Sequence, residues 1–562
     1  MILRRVPART CRAWLLRVSL LFDPPSVGTD ARGGAGALLP PEELNHTRRM
    51  VQEFSRPGGL GPHLQEGLER RARLTKNWIT DWWVQWAYLE SRQPLPVHSN
   101  PAISLPRRDY NDWRSQLVFA SKLIAAVLDF RAKLKTAQIP VEYMRGKPMC
   151  MELYPLLFSS CRIPGPKHDY VAHYGGGRRS PTHITVVRNY QFFQLESQIH
   201  GQLLRRFSLK TDKENGILTA RRHKNVESVQ MIETGLFSVC LDSPVMRISD
   251  EKPRRFCTGA GLTPTAGTFV IGEDGSWGLL YEQATAEGMP VTTLLHHILE
   301  YCENPDPKRA PLVPLPMPKK LYFHIDREIK WDIEQAKQNL DILINDLDVY
   351  VFNFKKFGKE LPKKHSLSPN SFIQVALQLA YYRVHSEVCP ACDIASQRLF
   401  RAGRTEYIRS PTNQALKFIL AFDDRTVSRE AKLELFREAV EAYTVLTEQA
   451  LNGHGIDNHL LGLKLQAIEE GLSIPKVFMD TAYGLATHWR LRTGQVPANT
   501  DSVMCFGPLV PDGYAVCYNP QADHVHFSIT AFNCCEDTNA ETLSRTVKET
   551  LCDLQELLEP PV

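Results

Sequence analysis

No apolar run in the chain approaches the roughly 18 residues that a membrane-spanning helix needs, so no transmembrane segment is expected. Charge of one sign is nearly balanced: 67 Lys and Arg against 62 Asp and Glu leave +5 over 562 residues, too little to point to nucleic acid. The 13 cysteines are an odd count, scattered from Cys11 to Cys552, without the density of a secreted disulfide framework. That thinness implies a reducing compartment. The chain also lacks a GxSxG nucleophile elbow, a Walker A loop and an HExxH helix, so three common hydrolase and nucleotide-binding plans are excluded. The stretch Gly259-Ala-Gly261-Leu-Thr-Pro264 opens like a dinucleotide loop but carries proline where the third glycine belongs. With 43% apolar and 23% charged residues, the composition is that of a folded globular protein, not of a disordered or collagen-like one.

The first stretch of the chain has a character of its own. Arg4, Arg5, Arg9, Arg12 and Arg17 precede the first acidic residue, Asp23, and are interleaved with Trp14, Leu15, Leu16, Leu20 and Leu21. An arginine-rich, acid-free, apolar-interleaved leader predicts mitochondrial import, with a cytoplasmic location as the alternative. Residues 26–41, rich in Gly, Pro and Ala, read as the linker behind it.

Beyond that point apolar periodicity predicts mixed structure. Residues 68–89 read as one helix with Trp78, Trp82 and Trp86 on a single core-facing stripe, and a second helix is expected over 113–134. Residues 182–190 read as a strand, and 268–282 as a hairpin turning at Asp274-Gly275. Helices are expected at 326–347, 369–388, 428–451, 458–470 and 540–558, two of them closed by Gly453 and Gly471. Strands are expected at 349–354, 514–518 and 524–532. The absence of a regular βαβα rhythm predicts mixed α/β sheets covered by helices. Cys389-Pro-Ala-Cys392 has no second pair nearby, and His524 and His526 share one strand face but are two ligands short of a zinc site, so no metal is expected.

Several long blocks carry a resemblance. They are Ala310-Pro-Leu-Val-Pro-Leu-Pro-Met-Pro-Lys-Lys320, Phe357-Gly-Lys-Glu-Leu-Pro-Lys363, Leu367-Ser-Pro-Asn-Ser-Phe-Ile-Gln374 and Gly403-Arg-Thr-Glu-Tyr-Ile-Arg-Ser410. Further on come His459-Leu-Leu-Gly-Leu-Lys-Leu-Gln-Ala467, Phe478-Met-Asp480, Gln495-Val-Pro497 and Phe506-Gly-Pro-Leu-Val-Pro-Asp-Gly-Tyr514. Together, and in this order, they resemble the carnitine/choline acyltransferase family over residues 48–558, its short-chain carnitine members above all. The resemblance implies two domains of chloramphenicol-acetyltransferase type with a tunnel between them. It implies residues 1–40 as leader and linker and 41–560 as the acyltransferase unit. Within that unit, 87–325 would form a first subdomain, shortened near 195–265, and 41–86 with 326–560 a second. The implied reaction moves a short acyl group reversibly between CoA and carnitine or choline. CoA or acetyl-CoA is then a substrate, and no permanently bound cofactor is implied.

In the family a histidine within Tyr-Glu-His-Ala-Ala-Ala-Glu-Gly removes the proton from the acceptor hydroxyl. The matching segment here is Tyr281-Glu-Gln-Ala-Thr-Ala-Glu-Gly288, so Gln283 stands at the base position. An amide does not take up a proton near neutral pH. Glu287, matching the acid that sets that histidine, is expected to make a simple polar contact with Gln283. Gly494, in Arg492-Thr-Gly494, stands where the family's oxyanion serine belongs, while Arg492 brings a charge to the same strand. On the acceptor side Asn458 replaces the carboxylate-binding arginine, as in the choline-specific members, and His98 and Cys392 replace two substrate tyrosines. Thr405 is kept, and Phe506 matches an aromatic that packs near the trimethylammonium group. Met504 matches the methionine that closes the acyl pocket to long chains. Lys359, Lys363 and Gln495 match contacts to CoA, and five lysines within 355–364 suit a phosphate. Three readings follow: an active short-chain acyltransferase, a catalytically impaired protein that still binds CoA or acyl-CoA, and a product lacking coding sequence around residues 195 and 256. A choline-like acceptor is a lesser alternative to carnitine.

Overall fold

A computed structural model describes residues 41–176, 180–196, 217–243, 267–304, 317–496 and 498–559. The expected leader, the Pro-rich block up to residue 316, the replaced block at 255–264 and most of the shortened 195–265 region lie outside the described residues.

Two large sheets carry the described chain. The first has eight strands in the order Lys319–Lys320, Gln191–Glu196, His183–Arg188, Ser238–Asp242, Gly267–Gly272, Trp277–Tyr281, Ala102–Ser104 and Val503–Cys505. The second has six, in the order Leu347–Phe354, Val525–Phe532, Tyr514–Pro520, Leu491–Gln495, Ala391–Ser396 and Thr405–Arg409. Both mix parallel with antiparallel neighbours; Leu491–Gln495, for instance, runs parallel to both of its partners. The expected mixed α/β architecture is the one observed. Strand Val503–Cys505 follows Leu491–Gln495 in the chain yet pairs with Ala102–Ser104, so the chain crosses from the second sheet to supply the last strand of the first.

Each sheet is covered by helices whose apolar stripes the sequence already shows. In Ala540–Leu558, Leu543, Val547, Leu551 and Leu554 recur every three or four residues, and all are at most 1% exposed against the second sheet. Burying each such side chain contributes about 1.5–3 kcal/mol. Asn539 caps this helix, its side chain accepting from the Thr542 amide at 2.8 Å. Pro369–His385 starts with proline at its first position behind a Ser368 cap, and Trp113–Lys135 covers the first sheet. The hairpin forms as expected, Gly267–Gly272 against Trp277–Tyr281, turning through Gly275 at φ +81°. Gly453 and Gly471 take left-handed φ of +74° and +69° behind their helices.

The single helix expected over residues 68–89 does not form. Leu60–Leu74 ends first, Thr80–Val84 follows, and Gln85–Leu89 is a π-helical turn. Trp78 therefore lies between helices, and the wider turn rotates Trp86 outward to 41% exposure while Trp82 and Trp83 stay buried. The stripe fails because a 3.6-residue period assumes an unbroken helix. Leu60–Leu74 packs instead on Asp457–Glu469, with Leu64 and Leu68 against Leu460 and Leu461.

Candidate active site

The hairpin strand Trp277–Tyr281 delivers the segment 281–288 to the side of the first sheet that meets strand Thr405–Arg409 of the second. Gln283 is 9% exposed, and its side-chain amide has no hydrogen-bond partner among the described residues. Its backbone carbonyl accepts from Arg404 Nη2. The same guanidinium donates from Nη1 to the Ala284 carbonyl at 3.1 Å and from Nε to Glu287 Oε1 at 2.6 Å. The expected Gln283–Glu287 contact is thus absent: Glu287, partly exposed, pairs with the buried guanidinium of Arg404, a stronger partner because both groups are charged. Arg404 sits inside the Gly403–Ser410 block, but no spacing rule assigns it to a residue 117 positions earlier.

On the other flank of the segment, Glu282 accepts from Ser99 Oγ at 3.0 Å, from the Ala284 amide at 3.0 Å and from Arg162 Nη1 at 3.4 Å. Arg162 continues to Asp169 at 2.8 Å. This network pins residues 98–99 beside the segment. Val97 just before them has φ +71°, a conformation β-branched residues avoid, and its carbonyl accepts from the Gly507 amide at 2.8 Å. His98 stacks on Phe532 with centroids 5.8 Å apart, and burial, followed by the nearby Arg492 charge, lowers its pKa.

Of the residues expected on the acceptor side, the structure pairs Asn458 with Thr405 and sets Cys392 and Phe506 beside Arg492. Cys392 lies in register with Arg492 on adjacent parallel strands, and its carbonyl accepts from Thr493 Oγ1 at 2.9 Å. Asn458 Nδ2 donates to the Thr405 carbonyl at 2.9 Å, leaving its own Oδ1 buried and unpaired. Its amide donates to Glu406, whose pKa burial and the neighbouring Asp457 raise to about 8. Asp457 is itself held by Arg409 at 2.6 Å. A Cβ added at Gly494 would meet two Phe506 ring atoms at 3.2 Å and the Met504 methyl at 3.8 Å, so these three positions share one surface. Tyr281 Oη lies 3.9 Å from Met504 Sδ. Arg492 is 6% exposed, and its guanidinium carbon stands 4.1 Å over the centre of the Phe506 ring.

The lysine-rich segment turns against the loop behind Gln495. The Lys359 amide donates to the Gln521 carbonyl at 2.8 Å, and Gln521 Nε2 reaches the Ala498 carbonyl at 3.2 Å. Gln495, the last residue of its strand, is exposed, and Lys359 is half-buried. Lys363 Nζ pairs with Glu360 at 3.0 Å, and Lys364 with Glu559 at 2.5 Å. Asp501 in the same loop joins the two histidines that the sequence leaves isolated. One of its oxygens lies 2.8 Å from His524 Nε2 and 3.2 Å from His526 Nε2. Cys389 and Cys392 are both free and buried, and burial raises both thiols.

Among the described residues no helix is long and apolar enough to cross a membrane. The sequence profile described as "Choline/Carnitine o-acyltransferase" matches residues 34–215 and 211–549. A carnitine O-acetyltransferase of Columba livia is 48% identical over 93% of this chain and 90% of its own length. That of Homo sapiens is 47% identical over 92% and 89%. A choline O-acetyltransferase of Homo sapiens is 34% identical over 93% and 77%. A family profile spanning most of the chain, with relatives of this identity over nine-tenths of it, shows that the chain belongs to the choline/carnitine O-acyltransferase family.

Proposed function

We propose that the protein is a CoA-binding acyltransferase of the carnitine O-acetyltransferase type whose transfer of short acyl groups to carnitine is strongly impaired. Gln283 carries this reading: an amide without hydrogen-bond partners among the described residues, at the position where the family resemblance puts the general base. Losing a general base costs about 10²–10⁴ in rate, and losing an oxyanion donor, as at Gly494, about 10²–10³. The low ends combined would make about 10⁴, or roughly 5.4 kcal/mol of transition-state stabilisation. Groups that act as a unit are not additive, so the combined loss lies between the larger single one and this product. Glu287 supplies no substitute base in this reading, because its carboxylate is already engaged by Arg404 at 2.6 Å.

The acceptor side supports the same reading. Arg492 covers the face of Phe506, the ring assigned by resemblance to the trimethylammonium group, and Asn458 offers carnitine's carboxylate no charge. Lys359, Lys363 and Gln495 are the proposed CoA contacts, and Met504 keeps the acyl pocket short. The proposed organisation places the reaction tunnel between a subdomain of residues 87–325 and one of 41–86 with 326–560. Import into mitochondria belongs to the proposal too, and a fluorescent fusion of residues 1–40 that stays cytoplasmic would remove it.

The test is release of CoA thiol from acetyl-CoA by the purified protein, with and without L-carnitine, beside direct titration with CoA. Micromolar CoA binding without carnitine-dependent release is expected. Release at rates of order 1–10³ s⁻¹, typical of working enzymes, overturns the impairment. The second reading, an active carnitine O-acetyltransferase, is favoured by the 48% identity to a curated enzyme of that name.

A further inference from the structure

Among the described residues Arg492 is a cation without a counter-ion. Its side chain is buried, and its one hydrogen bond among the described residues is a 3.4 Å contact from Nη1 to the Gly507 carbonyl. A buried guanidinium without a carboxylate is costly, and its planar fork of donors suits two oxygens of one anion.

The charged neighbours do not supply that anion. Glu287 is taken by Arg404 at 2.6 Å, Asp457 by Arg409 at 2.6 Å, and Glu282 by Arg162. Glu406, pushed up to about 8, is protonated near neutral pH, and burial likewise raises Asp393, which is bonded to Tyr443 at 2.9 Å. His98 has a lowered pKa and adds no positive charge. None of these groups is paired with Arg492, whose guanidinium is held 4.1 Å above Phe506. The ring fixes the guanidinium from one side and supplies no hydrogen-bond acceptor to it.

We propose that Arg492 makes this pocket a site for a small organic carboxylate that carries no quaternary ammonium. The inference rests on the reading above only in taking this cluster as the acceptor pocket. Arg492 repels a trimethylammonium group and already fills the ring face that would hold it. A hydroxy acid would lay its carboxylate on the fork of Arg492.

The probes are 3-hydroxybutyrate, L-carnitine and choline, titrated calorimetrically into the full chain saturated with CoA. They carry respectively the carboxylate alone, both charges and the ammonium alone. 3-Hydroxybutyrate is expected to bind at least tenfold tighter than L-carnitine, with choline weakest. Arg492→Ser is expected to weaken 3-hydroxybutyrate tenfold or more and to strengthen L-carnitine, since a hydrogen bond to a charged group is worth about that factor. Unchanged CoA affinity and a melting temperature no lower than that of the parent chain in Arg492→Ser, or in Arg492→Gln should the serine variant misfold, report an intact fold. L-Carnitine or choline binding as tightly as 3-hydroxybutyrate overturns the inference, as does absence of binding by 3-hydroxybutyrate at 10 mM, about 2.7 kcal/mol. The two proposals fail separately. Rapid carnitine-dependent thiol release removes the impairment, whereas CoA binding without 3-hydroxybutyrate binding removes only the carboxylate site.

Discussion

Gln283→His restores an imidazole where the amide now stands, and the surroundings set how much it gains. The Gln283 side chain gives up no hydrogen bond among the described residues, so the exchange costs little in stability. A gain of about 10²–10⁴ in carnitine-dependent rate is the full return for a general base. Glu287 lies 2.6 Å from Arg404, so it would orient the new imidazole only by sharing itself with that guanidinium, and the lower half of the range is expected. Adding Gly494→Ser contributes a further factor of about 10²–10³ if its hydroxyl reaches the developing oxyanion. Its Cβ would stand 3.2 Å from two Phe506 atoms, so the ring has to give by a few tenths of an ångström. Arg492 stays on that ring in both variants and keeps the KM for carnitine high; Arg492→Ser in the same background should lower it. Thiol release from acetyl-CoA, followed with a thiol-reactive dye over a series of carnitine concentrations, separates the two effects. A folded, CoA-binding Gln283→His protein with an unchanged rate would refute the argument that the missing base limits the reaction.

Three other outcomes follow from the packing and the charges. Glu287→Gln leaves the Arg404 guanidinium buried without its carboxylate and should cost about 3–5 kcal/mol in urea unfolding, while Arg404→Lys loses the fork and should cost less. Leu551→Ala, at 1% exposure in the helix Ala540–Leu558, should cost about 2–5 kcal/mol; a loss under 1 kcal/mol would mean the helix does not pack on the second sheet. His459 is held neutral by burial, its pKa lowered to about 3 against about 6.5 in the unfolded chain. The unfolded state therefore binds the extra proton between these values. Stability is full above pH 6.5 and falls as the pH drops towards 3, by up to about 1.4 kcal/mol per unit. His459→Gln should flatten that acid limb in chemical denaturation at pH 7, 6 and 5.

How much was legible in the sequence varied with the range of the interaction. The Asp274-Gly275 turn and the helix expected at 540–558 depend on neighbours within a few residues, and they form as read. The tryptophan stripe at 78, 82 and 86 was misread because nothing in its spacing announces a break after Leu74 or a π-helical turn at Gln85. The ordered blocks from 310 to 514 placed the chain in its family, and Gln283 and Gly494 could be marked as departures from that pattern.

What those departures face was decided by tertiary structure alone. Glu287 meets Arg404 because the hairpin from the first sheet is set against a strand of the second, and no periodicity links residues 117 apart. Arg492 covers Phe506 because parallel strand order puts Leu491–Gln495 between Ala391–Ser396 and Tyr514–Pro520 while the chain beyond it doubles back to the other sheet. Asp501 joins His524 and His526 for the same reason, the loop behind Gln495 lying against the start of strand Val525–Phe532. Residue identity determined which groups are present. Strand register across two sheets determined which charges find partners, and it left Arg492 without a carboxylate among the described residues.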